Sequence, residues 1–446
     1  MLSKFILFVR HAFALIREDK LFSAIYIAGT AVAIASAMVI AIVLNIKLGN
    51  ISPESNRSRT LYFGSTFVTQ KEAEKGGPFY GQGVSVEALD SCFRQLKSVE
   101  LATGIFTTGF TVGDEKLETV TNVATTFCDP DFFRLYNLTF TEGRPFSEKE
   151  FRSGERVCVV SDKLARKLGN ATHVVLLYES GKPSLRIVGI VKAVSSLMSN
   201  AAADIYIPYT TESIVPVSSD YMEKRISYAG YLDVRILLRE GYSRQDFLDE
   251  LEPLRKHYNA VVGSQLGEWV DWVASANTHF FKNLHFFGDL DDQSMTNQAM
   301  NLMPPALLML LFLFLPAINL SGLVTNRMEA RRAEMAIRKT FGAKRRTLFN
   351  EIIHENLVLT LCGGIMGWGL SALFVKAVCH TEAFMELFRG NAQMNYDPSL
   401  DFQMFFTPTL FLVAFTCCAV LNLMAALIPA WRSLRKPIVE SLNQKR

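Results

Sequence analysis

The sequence predicts an α-helical membrane protein, with four transmembrane helices and a large mixed α/β extracytoplasmic domain inserted between the first and the second. Three observations predict it. Four stretches of the 446-residue chain, 21–46, 302–326, 356–375 and 402–431, are almost free of charge, and the chain as a whole is 49% hydrophobic and 20% charged. Each has the ~20 residues that a helix needs to cross a hydrocarbon core of roughly 30 Å. Basic residues crowd the connection between the second and third stretches and the C-terminal tail. Between the first two stretches, a segment of roughly 250 residues, large enough for its own core, mixes strand and helix patterns.

Residues 1–20 read as a cytoplasmic amphipathic lead-in, with Lys4, Arg10 and Arg17 around an interfacial segment 5–16. The apolar run behind it, 21–48, is longer than the h-region of about 7–15 residues of a cleavable signal, so it reads as the first span. Residues 49–297 form the extracytoplasmic domain. Its flanks, about 49–100 and 211–297, are the more helical and read as a split membrane-proximal lobe; about 101–210 is strand-rich and reads as an inserted lobe. Strand candidates are 157–160, 185–191 and 231–238, where Leu232, Val234 and Ile236 alternate with Asp233 and Arg235 as in a half-buried strand. Helices are expected over 85–96 and 243–258, the latter behind the N-cap candidate Ser243 with Phe247, Leu251 and Leu254 as its apolar stripe. The second span is 298–326, the cytoplasmic loop 327–350, the third span 351–379, the short outer loop 380–402, the fourth span 403–431 and the cytoplasmic tail 432–446.

Orientation follows from the basic residues. Arg327, Arg331, Arg332, Arg338, Lys339, Lys344, Arg345 and Arg346 lie between spans two and three, and Arg432, Arg435, Lys436, Lys445 and Arg446 in the tail, which places both in the cytoplasm. Both termini are therefore expected there. The spans carry almost no ionisable group, which disfavours an ion-coupled carrier, since those keep charged relays or ligands at depth. Asn319, Ser321, Thr30 and Ser36 are the polar residues there. Gly29, Ala33, Ala37 and Ala41 recur every four residues on span one, and Gly363 with Gly367 forms GxxxG on span three. Both allow close helix approach, either in a dimer or within one subunit. Cys92, Cys128 and Cys158 lie outside the membrane without metal-ligand spacing, so at most one disulfide can form among them.

The run that continues span two is the most informative. Read as helix, it sets Glu334 four residues before Arg338, a favourable order, and Gly342 just past the last turn as a C-cap. The segment Glu334-Met-Ala-Ile-Arg338-Lys-Thr-Phe-Gly342-Ala343-Lys-Arg-Arg resembles the signature of MacB/FtsX/LolC-type ABC transporter permeases, E-I-x-I-R-(K/R)-x-x-G-A, with Met335 in place of Ile. Pro429-Ala-Trp-Arg432 and Pro437-Ile-Val-Glu440-Ser-Leu442 resemble that family's closing pattern. Outside the membrane, Asp129-Pro-Asp-Phe-Phe, Gly143-Arg144-Pro-Phe146, the stretch from Arg156 to Leu168, and Arg186-Ile-Val-Gly189-Ile-Val-Lys192 resemble its periplasmic motifs, although the turn between Gly169 and Ile187 is shorter than usual.

The resemblance implies a permease subunit of the MacB type, with a periplasmic core domain and no fused ATPase, in which motion of a cytoplasmic ATPase passes through the helices to the outer domain to drive export. It implies coupling to that ATPase through Glu334, Ile337, Arg338, Lys339, Gly342, Ala343, Arg345 and Arg346. Implied partners are the ABC ATPase, a second permease copy (the same or a similar chain), membrane lipids and a periplasmic adaptor, with no nucleic acid. The location implied is the bacterial inner membrane. ATP and Mg²⁺ would sit on the ATPase; no cofactor or metal is expected here. No phosphate loop is legible, since Gly181-Lys182 is followed by Pro183, and His354-Glu355 has Val358 where a zinc protease needs its second histidine. His279, His285 and Asp289 fit no regular ligand face. Lipoprotein release of the LolC kind, regulation of the FtsX kind, and a ligand-binding sensor without ATPase stand as alternatives.

Overall fold

In a computed structural model of the chain, residues 20–435 are described, apart from 64–65, 71–79, 170, 178–181, 199, 212–229, 267–269, 275, 285–292, 332–334, 336, 339, 380, 382–403 and 405–407. Further side chains inside strands and helices also lie outside the description. Helix α1 (Lys20–Leu48) leads to β1 (Thr60–Phe63), β2 (Thr66–Gln70), β3 (Tyr80–Gln82), α2 (Val86–Ser91) and the long strands β4 (Val99–Gly113) and β5 (Val120–Cys128). Short elements follow: α3 (Asp131–Leu135), β6 (Phe140–Gly143), α4 (Glu148–Arg152), β7 (Val157–Ser161), α5 (Asp162–Lys167), β8 (His173–Leu177), β9 (Ser184–Val191) and β10 (Ile205–Pro208). Then come β11 (Asp233–Leu238), α6 (Arg244–Leu266), β12 (Val270–Ala274), β13 (Asn277–Thr278), α7 (His279–Asn283) and three long helices, α8 (Met295–Ala330), α9 (Arg345–Val378) and α10 (Pro408–Arg435).

The chain divides into two compact units. One, here the sheet unit, comprises 46–301 and 380–401; the helical unit is the remainder. The sheet unit is built on ten strands in the order β13-β1-β11-β4-β5-β10-β7-β9-β6, with β8 paired to both β4 and β9. Among the described residues, only β5–β10 and β7–β9 are parallel pairs. β4 holds the sheet together because it is long enough to pair β11 over its first half and β5 over its second. β12, β2 and β3 form a separate small sheet. The three expected strands appear as β7, β9 and β11, and the two expected helical segments as α2, followed by a 3₁₀ turn at Phe93–Gln95, and α6. Ser243 begins α6: its backbone N–H and hydroxyl donate to the Asp246 carboxylate, and its oxygen accepts from the Asp246 N–H. Phe247 and Leu251 are buried on the expected stripe, with Phe247 against Phe63 and Phe93.

The alternation expected of β11 fails at Arg235, which is 4% exposed. From Val234 to Leu238 every residue of β11 is buried, so both faces of this strand are covered by other layers of the unit. All of Cys92, Cys128 and Cys158 are buried and free.

The periplasmic motifs have local physical reasons. In Gly143-Arg144-Pro-Phe146, Gly143 has φ +68°, and a Cβ there would lie 2.3 Å from the Val188 carbonyl oxygen; a Cβ on Gly189 would lie 2.3 Å from that of Arg144. The two glycines let β6 and β9 cross in contact. Arg144 forks onto both oxygens of Glu150 (2.7 and 2.8 Å), while Glu150 completes a capping box with Ser147 at the start of α4. In Asp129-Pro-Asp-Phe-Phe, the buried Asp129 carboxylate accepts from the Thr103 hydroxyl (2.7 Å), the Gly104 and Phe132 N–H groups (3.1 and 3.2 Å) and Arg94 (2.8 Å). It ties α3 and the segment after α2 to β4. Asp129→Ala leaves the buried Thr103 hydroxyl and the Gly104 and Phe132 N–H groups without this acceptor and removes the buried carboxylate that Arg94 meets, leaving Arg94 with Asp90 and Asp131. The expected loss is about 3 kcal/mol, read from urea unfolding of the full chain in detergent.

Residues 46–49, where α1 ends, belong to the sheet unit and are held by its side chains. Arg57 donates through Nη1 to the carbonyls of Ile46 (2.7 Å) and Gly49 (2.8 Å) and through Nε to Glu54 (2.8 Å). His279 reaches the Lys47 carbonyl with Nε2 (2.7 Å) and Tyr62 with Nδ1 (2.8 Å). These satisfy carbonyls that a helix end otherwise leaves open. Burial, aided by the charge of Arg57, depresses the His279 pKa to about 4 from its usual 6.5. The folded state therefore binds fewer protons than the unfolded one between those values, so the contribution of His279 is complete above pH 6.5 and is lost as pH falls towards 4. The slope is at most about 1.4 kcal/mol per pH unit. Asp129, pushed up to about 6 by burial, titrates in part of the same range with the opposite sign. The check is therefore a difference: the stability gap between wild type and His279→Gln, measured from pH 7 to pH 5, should narrow.

Candidate functional site

In the helical unit, the connection between α8 and α9 is a turn with a defined stop and start. Gly342 has φ +89°, and the Ala343 N–H donates to the Arg338 carbonyl (3.0 Å), the six-to-one bond of a Schellman ending. Lys344 is extended (φ −70°, ψ 142°) and opens α9, its carbonyl accepting from the N–H groups of Thr347 and Leu348. Leu348 and Ile352 are buried with Tyr26 and Leu359, and Met335, Ala343 and Phe349 pack against them. This apolar anchor fixes the turn against α1 and α9. Arg338 donates to both oxygens of Glu351 (3.1 and 3.2 Å), and Arg331 to Glu355 (3.2 Å). The two pairs line a small groove with Met335, Leu348 and Ile352.

Of the residues expected here, Ile337, Arg338, Gly342, Ala343 and Arg346 fall on this turn; Glu334, Lys339 and the side chain of Arg345 lie outside the described residues. Arg338 is tied to Glu351, thirteen residues on in the next helix. What projects from the turn is apolar: Phe341 is 88% exposed and Ile337 50% exposed, among the exposed Lys344 and Arg346. Phe341 was not singled out by sequence reasoning. Its available signal was a lone aromatic beside the capping glycine in a basic loop.

The small residues of the helices meet within the chain. A Cβ on Gly363 would lie 2.7 Å from Cβ of Thr30, and one on Gly367 would lie 2.7 Å from the Ala31 carbonyl oxygen. The α1 face against this GxxxG is thus Ile27, Thr30, Ala31 and Ile34, which takes in none of the Gly29, Ala33, Ala37 row. Gly29 is half-buried and Ala33 buried, while Ala37 clusters with Ala414 and Cys418 of α10. Asn422 donates to the hydroxyls of Thr30 (3.3 Å) and Thr360 (3.5 Å), and Tyr26 bonds Thr360 (3.3 Å). Three helices are joined by uncharged polar contacts. Two helical segments, Lys20–Leu48 and Arg346–Val378, are long and apolar enough among the described residues to cross a membrane.

The model of the MacB-like periplasmic core domain matches residues 23–254, and that of the FtsX-like permease C-terminal region matches residues 306–438. The chain belongs to the MacB/FtsX family of ABC transporter permeases. The ABC transporter permease YknZ of Bacillus subtilis is 21% identical over 55% of this chain and 56% of its own length. The macrolide export ATP-binding/permease protein MacB 2 of Aeromonas hydrophila is 22% identical over 71% of this chain and 42% of its own length. The chain thus spans about half the length of the curated relatives it matches. The solved periplasmic region of MacB from Actinobacillus actinomycetemcomitans has a TM-score of 0.32 and 11% identity, over 49% of this chain and 89% of that one. The family's two regions fall on the two parts of this chain. The core-domain match runs from α1 into α6, and the permease match takes in most of α8, the turn, α9 and α10.

Proposed function

We propose that the chain is the transmembrane subunit of an ABC transporter of the MacB type. In this reading α1, α8, α9 and α10 span the inner membrane with both termini in the cytoplasm, and the turn at 331–348 docks on a separate ATPase. Two copies of the chain, or this chain and a similar one, pair with two ATPase subunits, and nucleotide-driven closure moves the periplasmic domain to drive export.

The observation that carries this reading is the exposed Phe341 and Ile337 on a turn that Gly342, Leu348 and the Arg338–Glu351 pair hold in shape. An aromatic nearly nine-tenths exposed on an anchored scaffold is a surface suited to a groove in a partner protein. Rigidity matters because a force applied to a loose loop is lost in the loop. Surrounding basic side chains add attraction without setting the geometry. For the test, a photo-cross-linker is placed at Thr340 or Lys344 in cells that also express the neighbouring ATPase. The expected product is a permease–ATPase adduct in a complex that hydrolyses ATP; a complex with full hydrolysis and no adduct from either position sinks the docking assignment.

A further inference from the structure

In the sheet unit, Arg235 on β11 stands opposite Tyr62 on β1, and its guanidinium carbon lies 5.0 Å from the Tyr62 ring centroid. The ammonium of Lys282, on α7, lies 4.4 Å from the same centroid. One ring thus takes two cations. Arg235 is buried; its Nη1 reaches the Val234 carbonyl at 3.3 Å, and Asp233, the acid that it meets, is 3.5 Å away with its carboxylate half in solvent. Lys282 has an exposed stem, but its Nζ points inward to the Asn200 side-chain oxygen at 2.5 Å. Glu54, the buried carboxylate of this region, already accepts from Arg57 and from Asn200 and Ala201.

Two buried polar groups are poorly met. Among the described residues, Nε of Arg235 and the hydroxyl of Tyr136 have no partner at full hydrogen-bond geometry; the guanidinium lies close enough to donate to the Tyr136 oxygen, which leaves the Tyr136 O–H without an acceptor. Burial, together with the neighbouring charge of Arg235, holds the Lys282 pKa well below the usual lysine range. Buried cations that outnumber the acids around them, and a buried O–H without an acceptor, are destabilising, and several of them converging on one place call for an anion. We propose that Arg235, Lys282 and Tyr136 form an anion site that takes a phosphate group, from a lipid headgroup or from free phosphate. A guanidinium, an ammonium and a hydroxyl on three separate elements suit an acceptor with several oxygens better than the two oxygens of a carboxylate. The exposed stem of Lys282 and the half-exposed Asp233 mark an open edge. Arg57 and His279 place the site beside the last turn of α1; on the reading that α1 spans the membrane, this is headgroup level. The lipid source rests on that reading, and the anion site does not.

Thermal unfolding of the full chain in maltoside micelles tests the site. Three additions are compared: inorganic phosphate exchanged for chloride at constant ionic strength, phosphatidylglycerol, and a phosphate-free galactolipid. Wild type should gain about 3 °C at roughly ten times the dissociation constant of the phosphate ligand. Arg235→Leu and Lys282→Met should lose that gain, yet melt no lower than wild type in its absence, because each removes one buried cation from a place where Arg57, Arg235 and Lys282 outnumber Glu54 and Asp233. A gain with inorganic phosphate identifies the free anion, and a gain with phosphatidylglycerol alone identifies the headgroup. If Arg235→Leu does not fold, Lys282→Met carries the comparison. No gain in wild type with either ligand, the same gain with the galactolipid, or an equal gain in the variants overturns the proposal.

Discussion

Arg57→Ala is expected to destabilise the chain by about 3–5 kcal/mol, the range for breaking a buried ion pair from one side. The reason lies in what it leaves behind. Arg57 and Glu54 are both almost completely buried, and Glu54 without its cation keeps only uncharged donors from Asn200 and Ala201. The carbonyls of Ile46 and Gly49 lose their donor at the same time, at the end of a 29-residue helix. Burial and the Arg57 charge pull in opposite directions on Glu54, and the net effect in the intact protein is a carboxyl held below its usual range. Removing Arg57 removes the main lowering influence. Glu54→Gln in the Arg57→Ala background should therefore recover part of the loss, since a neutral amide costs less to bury than an unpaired carboxylate. Denaturant unfolding of wild type, single and double variants in detergent gives the comparison; a double variant no more stable than Arg57→Ala would show that the charge on Glu54 is not the source.

If the proposed docking holds, Phe341→Asp weakens association with the partner ATPase by about 30-fold or more while leaving stability within about 0.5 kcal/mol of wild type. The first figure is the ~2 kcal/mol of a buried aromatic anchor at an interface; the second is usual for an exposed position without a structural partner. Leu348→Ala is the informative contrast. Leu348 is buried in the anchor under the turn, so its loss should cost about 2–4 kcal/mol of stability and weaken docking only through the shape of the turn. Co-purification of the ATPase, with unfolding measured on the same samples, separates the two. If Phe341→Asp retains the ATPase at wild-type level, the projecting aromatic is not the contact.

Much of this was legible from local pattern. Long charge-free stretches coincide with the four long helices because apolar length needs no knowledge of neighbours, and the strands 157–161, 184–191 and 233–238 carry their own β-rich runs. Gly342 was legible as a helix stop because a left-handed φ at that point favours glycine. Arg235 is where alternation fails: it reports one solvent-facing side only when the strand has one, and β11 is buried on both faces from Val234 to Leu238. The partner of Arg338 could not be foreseen either, because Glu351 meets it only once the chain has turned back at Gly342.

By itself, then, the sequence determined three of the strands, the helices that follow Ser85 and Ser243, the long apolar helices, where the chain turns at Gly342, and, through its motifs, the family. Those properties depend on apolar period, backbone stereochemistry and residue type over short spans. Tertiary structure alone decided which α1 face meets Gly363 and Gly367, that Phe341 projects while Leu348 is buried, and that Arg57 and His279 grip the end of α1. It also brought Arg235, Lys282 and Tyr136 together across as many as 146 residues of chain. Contacts at that separation depend on how the whole sheet closes, and no local pattern encodes the closure.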